Sequence, residues 1–269
     1  MPAEHSTPRP RIAVLGYGAM GRYLLPRLAQ QLPEAALALV LRGPADDAPA
    51  GVTVLTGAKA LLDWQPDLLV ECAGHGAVRE HAAPALRAGI DVVLTSVGVL
   101  ADADLRAQLD DSARAGASRL ITVSGAIGGL DALDAARGAG LHSVRYVGRK
   151  PPLAWSGTPA AEAFDLAALR EPVVIFSGSA GESARAYPKN ANVTAAVALA
   201  GMGFEQTQVQ LVADPGITRN CHALEVRGAF GEFRIELANA PLPENPKTSW
   251  LAALSLEAQI RGYFGTAVS

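Results

Sequence analysis

Short, continuous apolar runs alternate with helix-compatible segments through the first half of the chain. The runs predict strands at Arg11 to Leu15, Ala38 to Leu41, Val52 to Leu55, Leu68 to Glu71, Asp91 to Leu94 and Arg119 to Val123. Strands that are apolar throughout, rather than at every second position, are typical of a parallel sheet covered on both faces. Helices are predicted to begin at Gly18, Ala58, Gly76, Asp102 and Gly129, with Asp102 as an N-cap. This alternation of strand and helix indicates a doubly wound α/β sheet.

Alternating polar and apolar positions replace this pattern after about Gly125. They predict longer strands at Ser143 to Arg149, Val173 to Ser177, Gln206 to Ala213, His222 to Arg227 and Phe230 to Ala238. Gly228 and Ala229 predict a hairpin turn between the last two strands. One alanine-rich helix, Ala191 to Ala200, interrupts this region, and a proline-rich connector, Ala240 to Pro246, leads to a final helix of about Thr248 to Phe264. The second half is therefore predicted to be an α+β domain with an antiparallel or mixed sheet.

The bulk composition narrows the class of protein. The chain has 269 residues, 49% of them hydrophobic and 18% charged, and a formal net charge of −3 at pH 7. It can therefore bury a sizeable core, and it offers no basic stripe to nucleic acid. No apolar run reaches the roughly 18 residues of a membrane span, and the first ten residues lack the apolar core of a signal peptide. Cys72 and Cys221 predict neither a disulfide framework nor a metal site, and the missing signals favour the cytoplasm.

A glycine pattern follows the first predicted strand. Gly16, Gly18 and Gly21 form G-x-G-x-x-G between that strand and a predicted helix, which is the context in which the pattern binds dinucleotides. The first glycine permits the tight turn, the second lets the backbone approach a pyrophosphate, and the third lets helix and strand pack closely. The helix N-terminus, with Ala19 and Met20, directs free N–H groups at the phosphates. We therefore predict a Rossmann-type domain; the alternative is an ordinary strand–helix turn in another α/β fold.

The residue that ends the second predicted strand bears on the choice of cofactor. Domains of this type that bind NAD place an acidic residue there to hold the ribose 2′-hydroxyl, whereas this chain has Arg42 followed by Gly43. An arginine favours the 2′-phosphate of NADP. However, Asp46 and Asp47 follow closely and a bent loop would still offer a carboxylate, and a solvated loop charge explains Arg42 equally well. The sequence therefore predicts NAD or NADP without choosing between them.

Turns rich in small residues follow two further strands, at the edge of the sheet where ligands bind in doubly wound folds. In the first turn Glu71 is expected to face a partner group, while Ala73 and Gly74 let a cofactor pass near the backbone. His75 is expected to cap the next helix or to line the cofactor cleft. The second turn, Leu94-Thr95-Ser96-Val97-Gly98, is also small and polar. A third turn, at the predicted domain crossover in residues 124–129, carries three glycines, which would allow a nicotinamide ring to approach the backbone.

His222 is the histidine that we select as a catalytic candidate. An imidazole titrates near neutral pH, so it can both accept and donate a proton there. Considered without further information, a histidine in a strand is more often a structural hydrogen-bonding group. The neighbouring Cys221 is expected to be a buried filler, because a nucleophilic thiol needs a base partner that the sequence does not indicate.

The segment Pro188-Lys189-Asn190-Ala191-Asn192-Val193 precedes the alanine-rich helix. Either asparagine can cap that helix or hydrogen-bond a carboxamide, and the helix N-terminus can receive an anion. Lys189 and Arg219 are the candidates that we select for binding substrate carboxylates, together with Lys150. Each of these cations is also explained as an ordinary surface charge.

Five segments together resemble the L-aspartate dehydrogenase family. They are Gly16 to Gly21, Glu71 to His75, Ser124 to Asp131, Pro188 to Val193 and Asp214 to His222. The first segment is general to Rossmann-type proteins, but the sequences Ser-Gly-Ala-Ile-Gly-Gly-Leu-Asp and Pro-Lys-Asn-Ala-Asn-Val are much more specific. The resemblance implies that Ala126 and Asn192 contact the cofactor, that His222 is the catalytic histidine, and that the protein is a homodimer.

The resemblance also implies a domain organisation. The second domain of the family is an insertion, and its C-terminal helix returns to the nucleotide-binding domain. Applied to this chain, residues 1–125 are the dinucleotide-binding domain, completed by a C-terminal helix within residues 241–269. Residues 126–240 are then the substrate and dimerisation domain.

The implied activity is an NAD(P)-dependent, reversible oxidative deamination of L-aspartate to oxaloacetate and ammonia through iminosuccinate, feeding NAD biosynthesis. Quinolinate synthase is the downstream partner that this activity suggests. Two other readings of the sequence stay open. One is a reductase of the dihydrodipicolinate or homoserine dehydrogenase type, and the other is an NAD(P)-binding sensor without catalysis.

Overall fold

The computed structural model describes residues 9–43, 47–243 and 245–265, without the side chains of Lys189, Pro246 and Lys247. The chain is divided by its internal contacts into two compact units. The first contains the residues up to Ser96, Ala107–Ile121 and those from Gln259 onward, and the second contains Val97–Arg106 and Thr122–Ala258. In the described part, no helix is long and apolar enough to cross a membrane.

A six-stranded sheet with the order β3-β2-β1-β4-β5-β6 forms the centre of the first unit. The strands are β1 (Arg11–Leu15), β2 (Ala36–Leu41), β3 (Thr53–Thr56), β4 (Leu68–Glu71), β5 (Asp91–Leu94) and β6 (Leu120–Thr122). Neighbouring strands from β3 through β5 run parallel. The helices between them are α1 (Ala19–Gln31), α2 (Gly57–Trp64), α3 (His75–Arg87) and α4 (Ala103–Gly116). The predicted doubly wound, Rossmann-type sheet is confirmed.

The apolar runs located these elements closely. The limits of β1, β4 and β5 are those predicted, and the other strands differ by at most two residues. Because their sequences are apolar at almost every position, β4 and β5 are buried along their whole length. Asp102 caps α4 as expected, since its Oδ1 accepts a hydrogen bond of 3.1 Å from the backbone N–H of Leu105.

The second unit is built on a five-stranded mixed sheet with the order β11-β10-β7-β9-β8. Its strands are β7 (Leu141–Lys150), β8 (Val173–Ser179), β9 (Gln208–Ala213), β10 (Asn220–Gly228) and β11 (Gly231–Asn239). The pair β7–β9 is parallel and the other pairs are antiparallel. The hairpin predicted around Ala229 joins β10 to β11, with Gly228 paired to Gly231.

Helices and short strands complete the chain. The helices are α5 (Leu130–Arg137), α6 (Ala160–Ala163), α7 (Ala180–Ala186), α8 (Ala191–Ala200), α9 (Gly203–Gln206) and α10 (Trp250–Tyr263). Three single turns of 3₁₀ helix occupy Val97–Ala101, Pro152–Trp155 and Pro188–Asn190. Strands β12 (Pro241–Leu242) and β13 (Asn245–Ser249) form a separate antiparallel pair.

Two predictions for the second half were wrong. The alanine-rich helix, now α8, does not stand alone, because α6, α7 and α9 also interrupt the strands. Helix α7 begins at a capping box in which Ser179 and Glu182 satisfy each other's backbone N–H groups, so a recognisable Ser-x-x-Glu signal was overlooked. The expected connector, Ala240 to Pro246, instead contains β12 and the start of β13.

Tyr263, at the end of α10, is anchored within the first unit. Its hydroxyl group lies 3.0 Å from Oδ2 of Asp91 and 3.2 Å from the carbonyl oxygen of Asp67. Asp91 is buried and also accepts hydrogen bonds from the backbone N–H and the guanidinium group of Arg119. The burial of Tyr263 and its hydrogen bond to Asp91 raise the pKa of its phenol to about 12.

Candidate active site

The turn from β1 into α1 has glycines at three positions, and each meets different surroundings. Gly16 has a φ of +98°, and a β-carbon there would lie 2.6 Å from the β-carbon of Ala73. A β-carbon on Gly21 would overlap the carbonyl oxygen of Gly16, so helix and strand pack without a side chain at this point. Gly18 has no neighbouring atom within 4 Å of where its β-carbon would be. The turn therefore needs the first and third glycines for its own shape, while the second exposes backbone to a ligand.

A cleft of about 500 Å³ adjoins this turn. Its lining residues are Gly16, Val40, Leu41, Arg42 and the run from Ala73 to Ala77. The first turn of α1 carries no acidic side chain of its own, which favours an anion at its free N–H groups. These features fit a dinucleotide, whose pyrophosphate requires close backbone and an anion-binding helix end.

Arg42 is one of the residues that line the cleft. Its side chain is 79% exposed and its guanidinium group lies 3.4 Å from Glu80 Oε2, at the edge of ion-pair distance. A β-carbon on Gly76 would lie 3.9 Å from the same guanidinium group. The arginine therefore leans over the first turn of α3 and remains accessible to an anion. Asp46 lies outside the described residues, and Asp47 pairs with Arg22 at 2.6 Å.

Glu71 has a different role from the one expected. It is 1% exposed, and its carboxylate accepts hydrogen bonds from the backbone N–H groups of Ala73 (2.7 Å) and Gly74 (2.6 Å). It also accepts from the backbone N–H (2.9 Å) and the hydroxyl group (3.0 Å) of Ser96. All four donors belong to the chain itself. The carboxylate therefore fixes the wall of the cleft and does not face a partner.

In the second unit, the glycine-rich segment 124–129 is held by two side chains. The backbone N–H of Gly125 donates to Ser255 Oγ over 3.1 Å. The amide nitrogen of the buried Asn239 donates to the carbonyl oxygen of Ala126 over 2.7 Å. The backbone of this segment is consequently fixed before any ligand binds.

Asn192 is also oriented by the backbone. Its Oδ1 accepts a hydrogen bond of 3.0 Å from the N–H of Gly98, and a β-carbon on Gly98 would lie 2.9 Å from that of Ala191. The oxygen end of the amide is therefore occupied, and the exposed side chain retains its N–H₂ group as a donor. Neither Asn190 nor Asn192 caps α8 with its side chain, so the capping alternative was wrong for both.

His222 lies on β10 and points to the buried face of the sheet. It is 5% exposed, and its Nδ1 lies 2.8 Å from the hydroxyl oxygen of Tyr146, with the two rings nearly parallel. Gly148 lies directly opposite His222 on β7. A β-carbon on Gly148 would lie 2.7 Å from the Tyr146 hydroxyl oxygen. The absence of a side chain at Gly148 thus allows the Tyr146 ring to lie across β7 and reach the imidazole.

The other imidazole nitrogen, Nε2, is buried and has no hydrogen-bond partner among the described residues. Burial, and next the positive charge of Lys150, lower the pKa of His222 to about 4. The imidazole is therefore neutral near pH 7. A neutral ring with one nitrogen held and the other unsatisfied can accept or donate a proton at Nε2.

Lys150, two residues after Gly148, lies on the same face of β7. Its Nζ donates a short hydrogen bond to Asn190 Oδ1 and lies 5.0 Å from the centre of the Trp155 ring. Burial lowers the pKa of this ammonium group to about 8. Sequence reasoning overlooked Tyr146 and Gly148 and selected other cations ahead of Lys150. The period of two along β7 was the available signal, since it places all three on one face.

Of the other two candidate cations, Arg219 and Lys189, the structure describes the side chain of Arg219 alone. Arg219 is exposed, and its carbonyl oxygen accepts a weak hydrogen bond from the Cys221 thiol. The side chain of Lys189 lies outside the described residues. Cys221 is half-buried rather than fully buried, and burial raises the pKa of its thiol, as the largest of several influences. The described residues include no group of three His, Cys, Asp or Glu side chains that could hold a metal ion.

Comparison with known proteins finds a family profile for each half of the chain. The profile described as "Homoserine dehydrogenase, NAD binding domain" matches residues 16–122, and "Aspartate dehydrogenase, C-terminal" matches residues 131–263. The L-aspartate dehydrogenase of Ruegeria pomeroyi is 49% identical over 94% of this chain and 92% of its own, and that of Cupriavidus necator is 47% identical over 91% and 94%. The crystal structure of aspartate dehydrogenase from Thermotoga maritima superposes with a TM-score of 0.73 at 25% identity, covering 96% of this chain and 97% of its own. The chain therefore belongs to the L-aspartate dehydrogenase family of NAD(P)-dependent oxidoreductases.

Proposed function

We propose that this protein catalyses the reversible, NAD(P)-dependent oxidative deamination of L-aspartate to oxaloacetate and ammonia through iminosuccinate. The observation that carries the proposal is His222, a neutral imidazole with Nδ1 held by Tyr146 and Nε2 buried without a partner. Membership of the family supplies the substrate. When bound, the nicotinamide cofactor would supply the hydride chemistry at Cα of the amino acid, in either direction.

The first unit binds the cofactor in this proposal. The three glycines Gly16, Gly18 and Gly21 and the N–H groups of Ala19 and Met20 would hold its pyrophosphate, because the first turn of α1 carries no acidic side chain of its own. Ala73 and Gly74, whose backbone Glu71 fixes, would lie close to the cofactor along the cleft wall.

Ala126 and Asn192 are the further cofactor contacts that we propose. Asn192 is suited to this role because its N–H₂ group remains able to donate to a carboxamide or ribose oxygen while its oxygen is occupied. The backbone around Ala126 is suited because Asn239 and Ser255 already fix it. Both residues would therefore pay little ordering entropy on binding.

His222 transfers the proton of the reaction. For Nε2 to accept a proton, Nδ1 must carry a hydrogen and donate it to the Tyr146 oxygen. The same hydrogen bond holds the ring after protonation, when both nitrogens carry hydrogens. Tyr146 is therefore a suitable partner in both protonation states. It orients the imidazole toward the water that attacks the imine, or toward the departing amine.

Arg42 favours NADP in this proposal, because it is exposed and follows the second strand, at the sequence position where domains of this type contact the ribose 2′ substituent. Arg219 and Lys189 stay candidates for the substrate carboxylates, and the exposed side chain of Arg219 is free to move toward a ligand. The assignment of residues 1–125 with part of 241–269 to cofactor binding, and of residues 126–240 to substrate binding and dimerisation, is likewise a proposal.

The test is oxidation of NADH or NADPH by the purified protein, followed by absorbance, with oxaloacetate and ammonium supplied together and separately. The proposal requires a rate that depends on both. We expect His222→Asn to lower kcat by about 10²- to 10⁴-fold with an unchanged cofactor Kd. The matched control is His142→Gln, because His142 is an exposed histidine of the neighbouring strand β7.

Two results would contradict the proposal. Reduction of oxaloacetate without ammonium, at the full rate, would indicate a hydroxy-acid dehydrogenase. Cofactor binding without turnover of any amino or keto acid, and with no effect of His222→Asn beyond stability, would indicate a sensor.

Assembly and location are further proposals. We propose a homodimer, supported by the open face of the five-stranded sheet, on which Arg145 and Arg234 interleave with Glu225 and Glu236. A surface of mixed charge can be self-complementary across a two-fold axis, and light scattering would measure the mass. A cytoplasmic location and delivery of iminosuccinate to quinolinate synthase stay predictions of the sequence.

A further inference from the structure

Lys150 is an unusual cation for its surroundings. Its side chain is half-buried, burial lowers the pKa of its ammonium group, and among the described residues no acidic side chain forms an ion pair with it. Its interactions are with neutral groups, the Asn190 side-chain oxygen and the Trp155 ring. Asp214, whose backbone N–H donates to the carbonyl oxygen of Lys150 over 2.9 Å, has its carboxylate paired instead with Arg149 at 2.6 Å. Burying a positive charge without a counter-ion is costly unless a ligand supplies one.

The position of Lys150 indicates what that ligand is. Gly148 is paired with His222 across the two strands, and Lys150 follows two residues later on the same face. The ammonium group is close enough to His222 for its charge to lower the pKa of the imidazole. A lysine without a counter-ion therefore lies beside a histidine whose Nε2 has no partner. One anionic molecule could satisfy both groups.

We propose that Lys150 binds a carboxylate group of the substrate, with Asn190 and Trp155 holding its side chain beside His222. This inference rests on the proposed function and deepens it by naming the group that selects a dicarboxylate. It ranks Lys150 above Arg219, whose side chain is exposed and is not held near His222 by any contact that the structure shows. One N–H of Lys150 is committed to Asn190, which leaves two to donate to the ligand.

Carboxylate binding at Lys150 would also change His222. A bound anion compensates the ammonium charge, which is one of the two causes that lower the pKa of His222. The imidazole then becomes a better proton acceptor when substrate is present. The site would therefore be a stronger base in the complex than in the free protein.

The test uses succinate, an unreactive dicarboxylate, and propionate, its monocarboxylate counterpart. Calorimetry measures the binding of each to wild-type protein and to Lys150→Met and Lys150→Arg, with oxidised cofactor present. We expect Lys150→Met to weaken succinate binding by about 10- to 100-fold, which is the loss of a charge-assisted hydrogen bond. Lys150→Arg should retain most of the affinity. The control is Lys59→Met, since Lys59 is exposed on α2 and paired with Asp63.

A second measurement distinguishes ligand binding from a structural role. We expect succinate to raise the pKa of His222, followed by NMR of the imidazole, in wild-type protein but not in Lys150→Met. A loss of propionate binding equal to that of succinate would still support a carboxylate site, because it would show that Lys150 binds a single carboxylate group. Unchanged succinate binding in a folded Lys150→Met variant would overturn the inference, as would a wild-type protein that binds neither succinate nor oxaloacetate.

These outcomes are separable from those of the proposed function. Turnover of oxaloacetate with ammonium, combined with normal succinate binding by Lys150→Met, leaves the activity standing and removes the role of Lys150. Succinate binding that depends on Lys150, without turnover, supports the carboxylate site and refutes the deamination reaction.

Discussion

Replacing Gly148 by alanine would place a methyl group where the Tyr146 ring lies. The new carbon would lie 2.7 Å from the Tyr146 hydroxyl oxygen, 3.2 Å from its Cζ and 3.3 Å from a methyl group of Leu211. Tyr146 is 3% exposed, so the ring has no solvent into which to move. Overpacking of this kind costs about 1–3 kcal/mol. In a protein of this size that cost lowers Tm by roughly 2–4 °C per kcal/mol.

A double-mutant cycle with Tyr146→Phe tests the cause of this loss. Tyr146→Phe alone leaves Nδ1 of His222 buried and unpaired, at a cost of about 1–3 kcal/mol. In that background the atom that met the new methyl group at 2.7 Å is gone, and the nearest ring carbon lies at 3.2 Å. The two losses should therefore sum to more than the loss in the double variant, by about 0.5–3 kcal/mol.

The assay is thermal unfolding of the wild type, both single variants and the double variant, together with kcat for each. Both single variants should lower kcat, because each removes the hydrogen bond that orients His222. Gly262→Ala is the matched control, since a β-carbon there has no neighbour within 4 Å on α10 and should leave Tm unchanged or raise it slightly. Strictly additive losses, or a Gly148→Ala variant with wild-type Tm and kcat, would refute the packing argument.

Three other predictions follow from single side chains. Tyr263→Phe removes the hydrogen bond to Asp91 and should destabilise the fold by about 1 kcal/mol, measured by thermal unfolding; an unchanged Tm would show that this contact contributes nothing. The pKa of Lys150 is lowered to about 8, so the affinity for succinate should stay constant just below that pH and fall above it. The Lys150→Arg variant should bind succinate equally well on either side of that pH. Arg42→Ala should raise the KM for NADPH relative to that for NADH by about tenfold or more. If the ratio of these two KM values is the same in the variant and in the wild type, Arg42 does not contact the cofactor.

The first unit was predictable because its signals are local. Apolar runs such as Leu68–Glu71 mark buried parallel strands, and the glycines after β1 mark the turn, without any knowledge of long-range pairing. His222 is a candidate before any resemblance is considered, and the resemblance to a family then favours its catalytic role over a structural one. What could not be predicted is the environment of that histidine. The register of β10 against β7 brings Gly148 opposite His222, and no local pattern encodes which residues two distant strands will pair.

The polar details of the cleft were less predictable for a related reason. Glu71 ends an apolar strand near the cofactor turn, which is equally compatible with a ligand contact and with an internal hydrogen-bonding role. Only the backbone path of Ala73, Gly74 and Ser96 decides between them, because it turns their N–H groups toward the carboxylate. Helix α7 is different, since its capping box was visible in the sequence.

The four hydrogen bonds of Glu71 have a consequence for local opening of the protein. Three backbone amides from two separate turns, those of Ala73, Gly74 and Ser96, share one acceptor side chain. None of them can exchange its hydrogen with solvent while its bond to that carboxylate is intact. Withdrawal of the single Glu71 side chain frees all three at once. Their hydrogen-exchange rates should therefore report a common opening free energy, and the two turns behave as one cooperative element although they lie far apart in the sequence.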